Sequence, residues 1–197
     1  MTEPLVIEPL TADRFEALAS FFKEGGDASW CWCQFWRLRS KDFGEAKVPQ
    51  LRGRLRDLAA APLAPGLVAF RGERAVGWCS LGPREDFERL ERSRVIPRVE
   101  GTAVWSVVCF AVSKSARGEG VASTLLGGAV EWAREQGARV LEAYPVDVDD
   151  GATIDADAAY TGTLPMFERA GFRVVAPTDS KASGRPRVVV RRDLRRR

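Results

Sequence analysis

The chain has 197 residues, of which 45% are hydrophobic and 29% are charged, and its formal net charge is +3. These values predict an ordinary globular protein with one domain over residues 1–197, and the small net charge gives no argument for a nucleic-acid partner. Because the N-terminus lacks a signal-peptide pattern and no apolar run is long enough to cross a bilayer, we expect a cytoplasmic protein without a membrane partner.

Histidine is absent from the sequence, which excludes Ser-His and Cys-His catalysis and any metal site built on imidazole. Cys79 and Cys109 lie in apolar, strand-like runs, where a reduced thiol acts as a small hydrophobic side chain. Cys31-x-Cys33 lacks a second close pair for zinc and differs from the redox spacing Cys-x-x-Cys. The sequence therefore predicts neither a metal site nor a disulfide framework.

Hydrophobic periodicity predicts two helices near the N-terminus, after a short strand at residues 5–8. Thr11 is the expected N-cap of the first helix. The second helix is expected at about residues 46–60, and Pro62 ends it. Between these helices, residues 30–36 contain three of the six tryptophans.

The middle of the chain predicts a β-hairpin formed by residues 66–71 and 75–81 around a turn at 72–73. Residues 83–101 are charged and rich in arginine, so we expect a helix or excursion at the surface. A β-branched and apolar run at residues 104–112 predicts a strand that is covered on both faces.

A glycine-bearing turn at residues 117–122 opens an amphipathic helix that extends to about residue 136. Such a turn directs unpaired backbone N–H groups and the positive end of the helix dipole at one point, which is an anion site typical of phosphate. Gly127 and Gly128 are unfavourable inside a helix, and we explain them by close packing of the helix on the sheet.

The remaining expected elements are a strand at residues 139–146, a short helix at 163–170, and strands at 172–175 and 187–193. The first of these strands should lie parallel to residues 104–112, because a helix connects the two. The basic residues from Arg191 onward are expected to form a solvated, frayed terminus, and not an RNA or membrane contact. Together the elements predict a mixed α/β (α+β) domain.

Two interpretations compete for the glycine turn. A dinucleotide-binding fold requires Gly-x-Gly-x-x-Gly closely after a strand, with an acidic residue on the next strand. Gly118, Gly120 and Glu142 fit this pattern, but Ser123 replaces the third glycine and several residues separate the strand from Gly118. The N-terminal half also does not alternate strands and helices, which argues against this fold.

The second interpretation rests on a resemblance. Residues 117–122 resemble the Arg/Gln-x-x-Gly-x-Gly/Ala loop of the GNAT acyltransferase superfamily, and residues 165–172 resemble its late helix, which ends in Gly-Phe. The predicted order of elements also matches that of the family nearly end to end. The resemblance implies the acyl-CoA N-acyltransferase fold, a mixed central sheet of about six or seven strands flanked by helices.

The resemblance also implies acetyl-CoA as co-substrate, with its pyrophosphate held by backbone N–H groups of the turn. The implied cofactor-binding residues are Phe110, Ala111, Val112, Arg117, Gly118, Glu119, Gly120, Val121, Ala122, Ser123 and Phe167. The backbone of Phe110, Ala111 and Val112 should pair with the pantetheine arm like an extra strand, and a backbone N–H there should serve as the oxyanion donor.

Family members commonly transfer the acetyl group directly to an amine, which calls for a base and is helped by an acid. The family's frequent acid is a tyrosine whose position is Phe167 here, so Tyr160 is the expected replacement. Glu142 is the first candidate for the base, because it is the one charged residue in an apolar strand. Asp147, Asp27 and a chain of water molecules are alternatives.

The aromatic segment is expected to line the acceptor site with Trp30, Trp32 and Trp36, beside Asp27 and Asp147, or else to anchor a loop by packing. We therefore predict an N-acetyltransferase that acetylates an amine of a small molecule, peptide or protein, as a monomer or homodimer. A second hypothesis is a catalytically degenerate sensor that binds acyl-CoA without turnover.

Overall fold

The computed structural model describes residues 3–24, 28–149, 151 and 159–195. Within these residues the strands are β1 (Leu5–Pro9), β2 (Gly66–Arg71), β3 (Arg74–Pro83), β4 (Val104–Val112), β5 (Val140–Ala143), β6 (Arg173–Ala182) and β7 (Arg185–Asp193). The helices are α1 (Phe15–Lys23), α2 (Ala28–Cys31), α3 (Ser40–Glu45), α4 (Val48–Ala59), α5 (Glu88–Glu91), α6 (Val121–Glu135) and α7 (Leu164–Arg169). Among the described helices, none has the length and apolar character that crossing a membrane requires.

The strands form one mixed sheet in the order β1-β2-β3-β4-β5-β7-β6. β4 and β5 are parallel, as predicted from the helix that connects them, and the other neighbouring strands are antiparallel. β4 pairs with β5 only from Val104 to Val107, and β5 is shorter than the predicted strand. The two strands then separate, which leaves an open edge along residues 108–112 of β4.

Helices cover both faces of this sheet. On one face, α1 and α4 place Phe15 and Leu55 in a core cluster with Trp78 of β3. On the other face, α6 packs Val121 and Leu125 against β2, β3 and β4. The mixed sheet flanked by helices confirms the predicted fold class.

The two glycines inside α6 differ in their surroundings. A Cβ added at Gly128 would lie 2.8 Å from Ile7 Cγ2 of β1, so a side chain is excluded there by close packing. A Cβ added at Gly127 would meet no atom within 4 Å. The packing explanation is therefore right for Gly128 and wrong for Gly127.

The stretch at residues 83–101 is more deeply buried than its charge predicts. Phe87, Leu90 and Ile96 are no more than 2% exposed and form a core cluster with Tyr144 and residues of β4 and β7. The expectation of a surface excursion is wrong for these residues, because their apolar side chains turn inward while the charged ones between them reach solvent.

Both ends of the described chain differ from the predictions. Thr11 makes no side-chain capping bond, and a 3-10 turn at Ala12–Arg14 precedes α1. Near the C-terminus, Arg191 lies in β7 and its guanidinium donates to the carbonyls of Val99 and Glu100 at 2.6 Å each. A frayed terminus is therefore wrong for residues 191–194, since strand pairing and these bonds hold them.

Candidate active site

A glycine turn joins β4 to α6. Gly118 and Gly120 have φ values of +80° and +78°, a conformation that favours glycine, and Gly120 is the N-cap of α6. The N–H of Thr124 donates to the Gly120 carbonyl at 2.9 Å. Within the described residues, the N–H groups before Thr124 in the first turn of α6 have no hydrogen-bond partner, so they can bind an anion.

These N–H groups face a cleft of about 550 Å³, hereafter the cationic cleft. Most of the predicted cofactor-binding residues line it, namely Phe110, Ala111, Val112, Arg117, Gly118, Gly120, Val121, Ala122 and Ser123. Lys114 and Arg74 add two cations to Arg117, and among the described lining residues Glu24 is the one acid. Glu24 pairs with Arg74 at 2.9 Å. The excess of positive charge suits a ligand with several phosphate groups.

Two predicted cofactor-binding residues do not line the cationic cleft. The Glu119 carboxylate pairs with Arg71 of β2 and so ties the glycine turn to the sheet. Phe167 is 0% exposed, and its ring centroid lies 6.2 Å from that of Phe110 and 5.1 Å from that of Phe172. The expectation of ligand contact is wrong for the Phe167 side chain, which is buried in the core. For Glu119, whose carboxylate pairs with Arg71, it stays a prediction.

The open edge of β4 carries one unexpected hydrogen bond. The N–H of Phe110 donates to the carbonyl of Tyr160 at 2.6 Å, at the position where a ligand was expected to pair with the strand. The N–H of Val112 lies on the same edge, because alternate residues of a strand direct their N–H groups to the same side. The pairing expected for the pantetheine arm is thus open at Val112 and already made within the protein at Phe110.

A second cavity of about 180 Å³ adjoins the cationic cleft, and the two share Ala28 and Tyr160 as lining residues. Trp30, Phe35 and Trp36 give it aromatic walls, and it is hereafter the aromatic pocket. Tyr160, the residue predicted as the acid, lines both cavities and so lies at their junction.

Trp32 lies outside the aromatic pocket. It is 3% exposed, and its ring centroid lies 6.3 Å from that of Phe15 and 5.4 Å from that of Phe22. Trp32 and Cys33 have φ values of 45° and 53°, so the backbone turns sharply after α2. The acceptor-site interpretation is wrong for Trp32, which packs in the core.

Three of the four cysteines, Cys31, Cys33 and Cys109, line the aromatic pocket. The Trp78 indole N–H donates to Cys33 Sγ at 2.9 Å. A hydrogen bond with Cys109, together with burial, raises the pKa of the Cys33 thiol, so this group stays protonated at neutral pH. Cys79 is buried as predicted, whereas Cys109 is half-buried at the pocket wall. Across the described ranges, no group of three or more acidic or thiol side chains is arranged to hold a metal ion.

Glu142 lies in a buried charge network and lines neither cavity. It is 0% exposed. Its Oε1 accepts hydrogen bonds from Arg84 Nε at 3.1 Å and from the Tyr144 hydroxyl at 2.6 Å, and its Oε2 accepts from Arg191 Nε at 2.6 Å. The expectation that Glu142 lies at the substrate is therefore wrong, because β5 is closed there by β4 and β7 and both oxygens are occupied.

The alternative carboxylates gain no support from the structure. Asp147 is exposed and lines neither cavity, and its backbone N–H donates to the Pro186 carbonyl at 2.9 Å. Asp27 lies outside the described residues. No carboxylate occurs among the described residues that line the aromatic pocket. Of the bases considered from the sequence, the geometry argues against Glu142 and Asp147, while water and the untested Asp27 stay as predictions.

The polar residues that sequence reasoning missed include Arg74 and Lys114 in the cationic cleft, and Thr161 and Arg187 in the aromatic pocket. Lys114 stands only a few residues before the glycine turn, and that proximity is a signal that could have found it. Arg74 and Arg187 lie on strands that are distant in sequence, so the fold alone brings them to the site.

The sequence and the fold were compared with those of known proteins. The sequence model of the acetyltransferase (GNAT) family matches residues 32–172, a span that includes both cavity-lining strand β4 and the glycine turn. No curated protein matches the chain at a significant level.

Solved structures share the fold over nearly the whole chain. A GCN5-related N-acetyltransferase from Kribbella flavida has a TM-score of 0.55 at 19% identity, covering 96% of this chain and 97% of that chain. A ribosomal-protein-alanine N-acetyltransferase from Brucella melitensis has a TM-score of 0.52 at 22% identity, covering 95% of this chain and 99% of that chain. The PaiA N-acetyltransferase from Thermoplasma acidophilum, in complex with coenzyme A, has a TM-score of 0.53 at 13% identity, covering 96% of this chain and 99% of that chain. With the family match over most of its sequence and the same fold in these structures, the chain belongs to the acetyltransferase (GNAT) family, whose members are generally acyltransferases.

Proposed function

We propose that the protein is an N-acetyltransferase that moves the acetyl group of acetyl-CoA to an amine. The observation that carries this proposal is that the cationic cleft and the aromatic pocket adjoin at Tyr160, which lines both. A CoA thioester whose phosphates lie on the glycine turn would bring its acyl group to that junction. The complex of the similar PaiA enzyme with coenzyme A supports the same ligand here.

The cationic cleft fits the phosphates of CoA in both shape and charge. A Cβ added at Gly118 or Gly120 would meet no atom within 4 Å, so the space above the turn is open. The N–H groups at the start of α6 would bind the pyrophosphate, and Arg117 and Lys114 would add charge-assisted contacts. The N–H of Val112 would pair with an amide of the pantetheine arm.

The transfer itself needs little protein chemistry. The amine nitrogen attacks the thioester carbon, the C–N bond forms, the C–S bond breaks, and the amine proton passes to water. The N–H of Phe110 would stabilise the oxyanion once the thioester oxygen replaces the Tyr160 carbonyl as its acceptor. The Tyr160 hydroxyl would protonate the leaving thiolate, although a thiol with a pKa of about 8.5 also leaves as an anion.

A second candidate function is a sensor that binds acyl-CoA without turnover. Three observations favour it: Phe167 occupies the position of the family's frequent acid, the Phe110 N–H already has an acceptor, and no carboxylate occurs among the described lining residues of the aromatic pocket. Each of these features would slow acetyl transfer without lowering the affinity of the cationic cleft for acyl-CoA.

Calorimetry with CoA and acetyl-CoA, followed by a thiol-release assay on a panel of amines, separates the two functions. The panel contains small amines, amino acids and peptides with a free N-terminus. Binding with thiol release on at least one amine supports the acetyltransferase, and binding without release on any amine supports the sensor. If neither CoA nor acetyl-CoA binds, both functions are refuted.

A further inference from the structure

The aromatic pocket contains two buried polar groups that lack partners within the described part of the chain. Thr161 is 5% exposed, and its hydroxyl has no hydrogen-bond partner there. The Nε of Arg187 is also buried and without a partner. Both residues line the aromatic pocket, and its other described lining residues carry aromatic rings or thiols, apart from Ala28.

Arg187 is a partly buried cation, and its described side-chain hydrogen bond goes to a neutral group. Its Nη1 donates to Ser180 Oγ at 3.2 Å, which is a neutral acceptor. Among the described residues no carboxylate forms an ion pair with it, whereas Arg84 and Arg191 share the buried carboxylate of Glu142. Burial lowers the pKa of the Arg187 guanidinium, but arginine keeps its charge at any physiological pH.

A partly desolvated cation and a buried hydroxyl are both unfavourable when they have no partner. A carboxylate would correct both defects, because it accepts two parallel N–H bonds from a guanidinium fork and one bond from a hydroxyl. An ammonium group would do the opposite, since it would meet Arg187 as a like charge. Arg187 and Thr161 therefore suit an anion in the aromatic pocket, while its aromatic side chains suit an apolar or aromatic body.

We propose that the acceptor is a small amine that also carries a carboxylate and an apolar or aromatic body, with the carboxylate bound by Arg187 and Thr161. This inference rests on the proposed acetyltransferase function and names its substrate class. The pocket volume of about 180 Å³ lies below the range of about 300–1,000 Å³ typical of sites for drug-sized ligands, which favours a compact molecule over a peptide. Anchoring the carboxylate leaves the amine to point toward Tyr160 and the thioester.

The test compares matched amines with and without a carboxylate, L-phenylalanine against 2-phenylethylamine and L-leucine against 3-methylbutylamine. Thiol release gives kcat and KM for each, with wild type and Arg187→Gln. We expect Arg187→Gln to raise KM for the two amino acids roughly 10- to 100-fold, as for loss of a charge-assisted contact, and to change kcat/KM for the plain amines less than about twofold. Because the paired amines differ in basicity, the decisive quantity is the change in their ratio between variants.

Two variants guard the interpretation. Arg185→Gln changes an exposed arginine on the same strand and should leave the ratio unchanged. Arg187→Lys keeps the charge without the fork and should restore part of the preference. If Arg187→Gln does not fold, judged by thermal unfolding and CoA affinity, Thr161→Val removes the second contact and should reduce the same ratio.

The inference is wrong if wild type shows no preference for the carboxylate in either pair, if Arg187→Gln and Thr161→Val both keep the preference, or if a peptide amide with a free N-terminus is the better acceptor. Those results leave the acetyltransferase function standing. If no amine releases thiol, that function fails, and tryptophan fluorescence of the CoA complex then decides the anion site. Quenching by L-phenylalanine that Arg187→Gln weakens supports the site, and absence of quenching overturns it.

Discussion

Replacing Gly120 with alanine tests whether the glycine turn holds the phosphates of CoA. Gly120 has a φ of +78°, and a Cβ at this position would meet no atom within 4 Å. The substitution therefore introduces backbone strain without a clash, and it changes no charge. Any loss of CoA affinity then reports on the position of the N–H groups at the start of α6.

The magnitude follows from the strain and the hydrogen bonds. A residue with a Cβ in the left-handed conformation costs roughly 1–2 kcal/mol, so the free energy of unfolding should fall by about that amount. Relief of the strain would shift the N–H groups of Val121 and Ala122. Loss of one hydrogen bond to a charged group, worth about 1.5–3 kcal/mol, corresponds to CoA binding that is weaker by roughly 10- to 100-fold.

Calorimetric titration with CoA measures the affinity, and urea unfolding measures the stability. Gly127→Ala is the matched control, because Gly127 lies in the same helix without positive φ and with no atom within 4 Å of an added Cβ. It should stabilise the protein by about 0.5–1 kcal/mol and leave the Kd for CoA unchanged. A Gly120→Ala protein that loses stability but binds CoA like wild type would refute the assignment of the turn to the phosphates.

Three other substitutions test the placement of single residues. Gly128→Ala places a Cβ 2.8 Å from Ile7 Cγ2. The resulting overpacking, about 1–3 kcal/mol, should outweigh the gain in helix propensity from alanine, so the Tm should fall, whereas Gly127→Ala should raise it. Glu142→Gln removes the buried carboxylate that Arg84 shares with Arg191. Urea unfolding should show a loss of about 3–5 kcal/mol in the free energy of unfolding, while the pH profile of kcat stays unchanged. A shifted pH profile in a protein of full stability would contradict the buried placement. Tyr160→Phe removes the hydroxyl but keeps the backbone carbonyl that accepts from the Phe110 N–H. We expect kcat to fall while the Kd for CoA is unchanged. An unaltered kcat would exclude the hydroxyl as the acid.

The cationic cleft, where we propose that CoA binds, was predictable from the sequence because much of its lining comes from contiguous residues. A buried strand, a turn with Gly118 and Gly120, and an amphipathic helix follow each other in the chain, and their local conformations place the N–H groups together. The side chains at this site matter less than the backbone. Of the predicted cofactor-binding residues, Glu119 and Phe167 do not line the cleft, since their side chains are engaged by a distant strand and by the core.

The acceptor side was not predictable in the same way. Glu142 looks like a site residue in an apolar strand, but the pairing of β5 with β7 sets Arg191 beside it and closes the position. The side chain of Trp32 packs in the core, unlike those of Trp30 and Trp36, because the backbone turns sharply at Trp32 and Cys33, neither of which is glycine. Nothing in the local sequence distinguishes Arg187 from the other arginines of the last strand.

The sequence by itself determined the order of elements, the fold class and the anion-binding turn, because periodicity, glycine conformation and helix polarity act over a few neighbouring residues. Only the tertiary structure decided which side chains line the aromatic pocket, where we propose that the acceptor binds. That pocket forms where β4 and β5 separate, and it collects residues from α2, the segment after it, β4, residues 160–161 and β7. The identity of a side chain shows what it can bind, but strand register and the turns between elements determine whether it faces the core, a countercharge or the substrate.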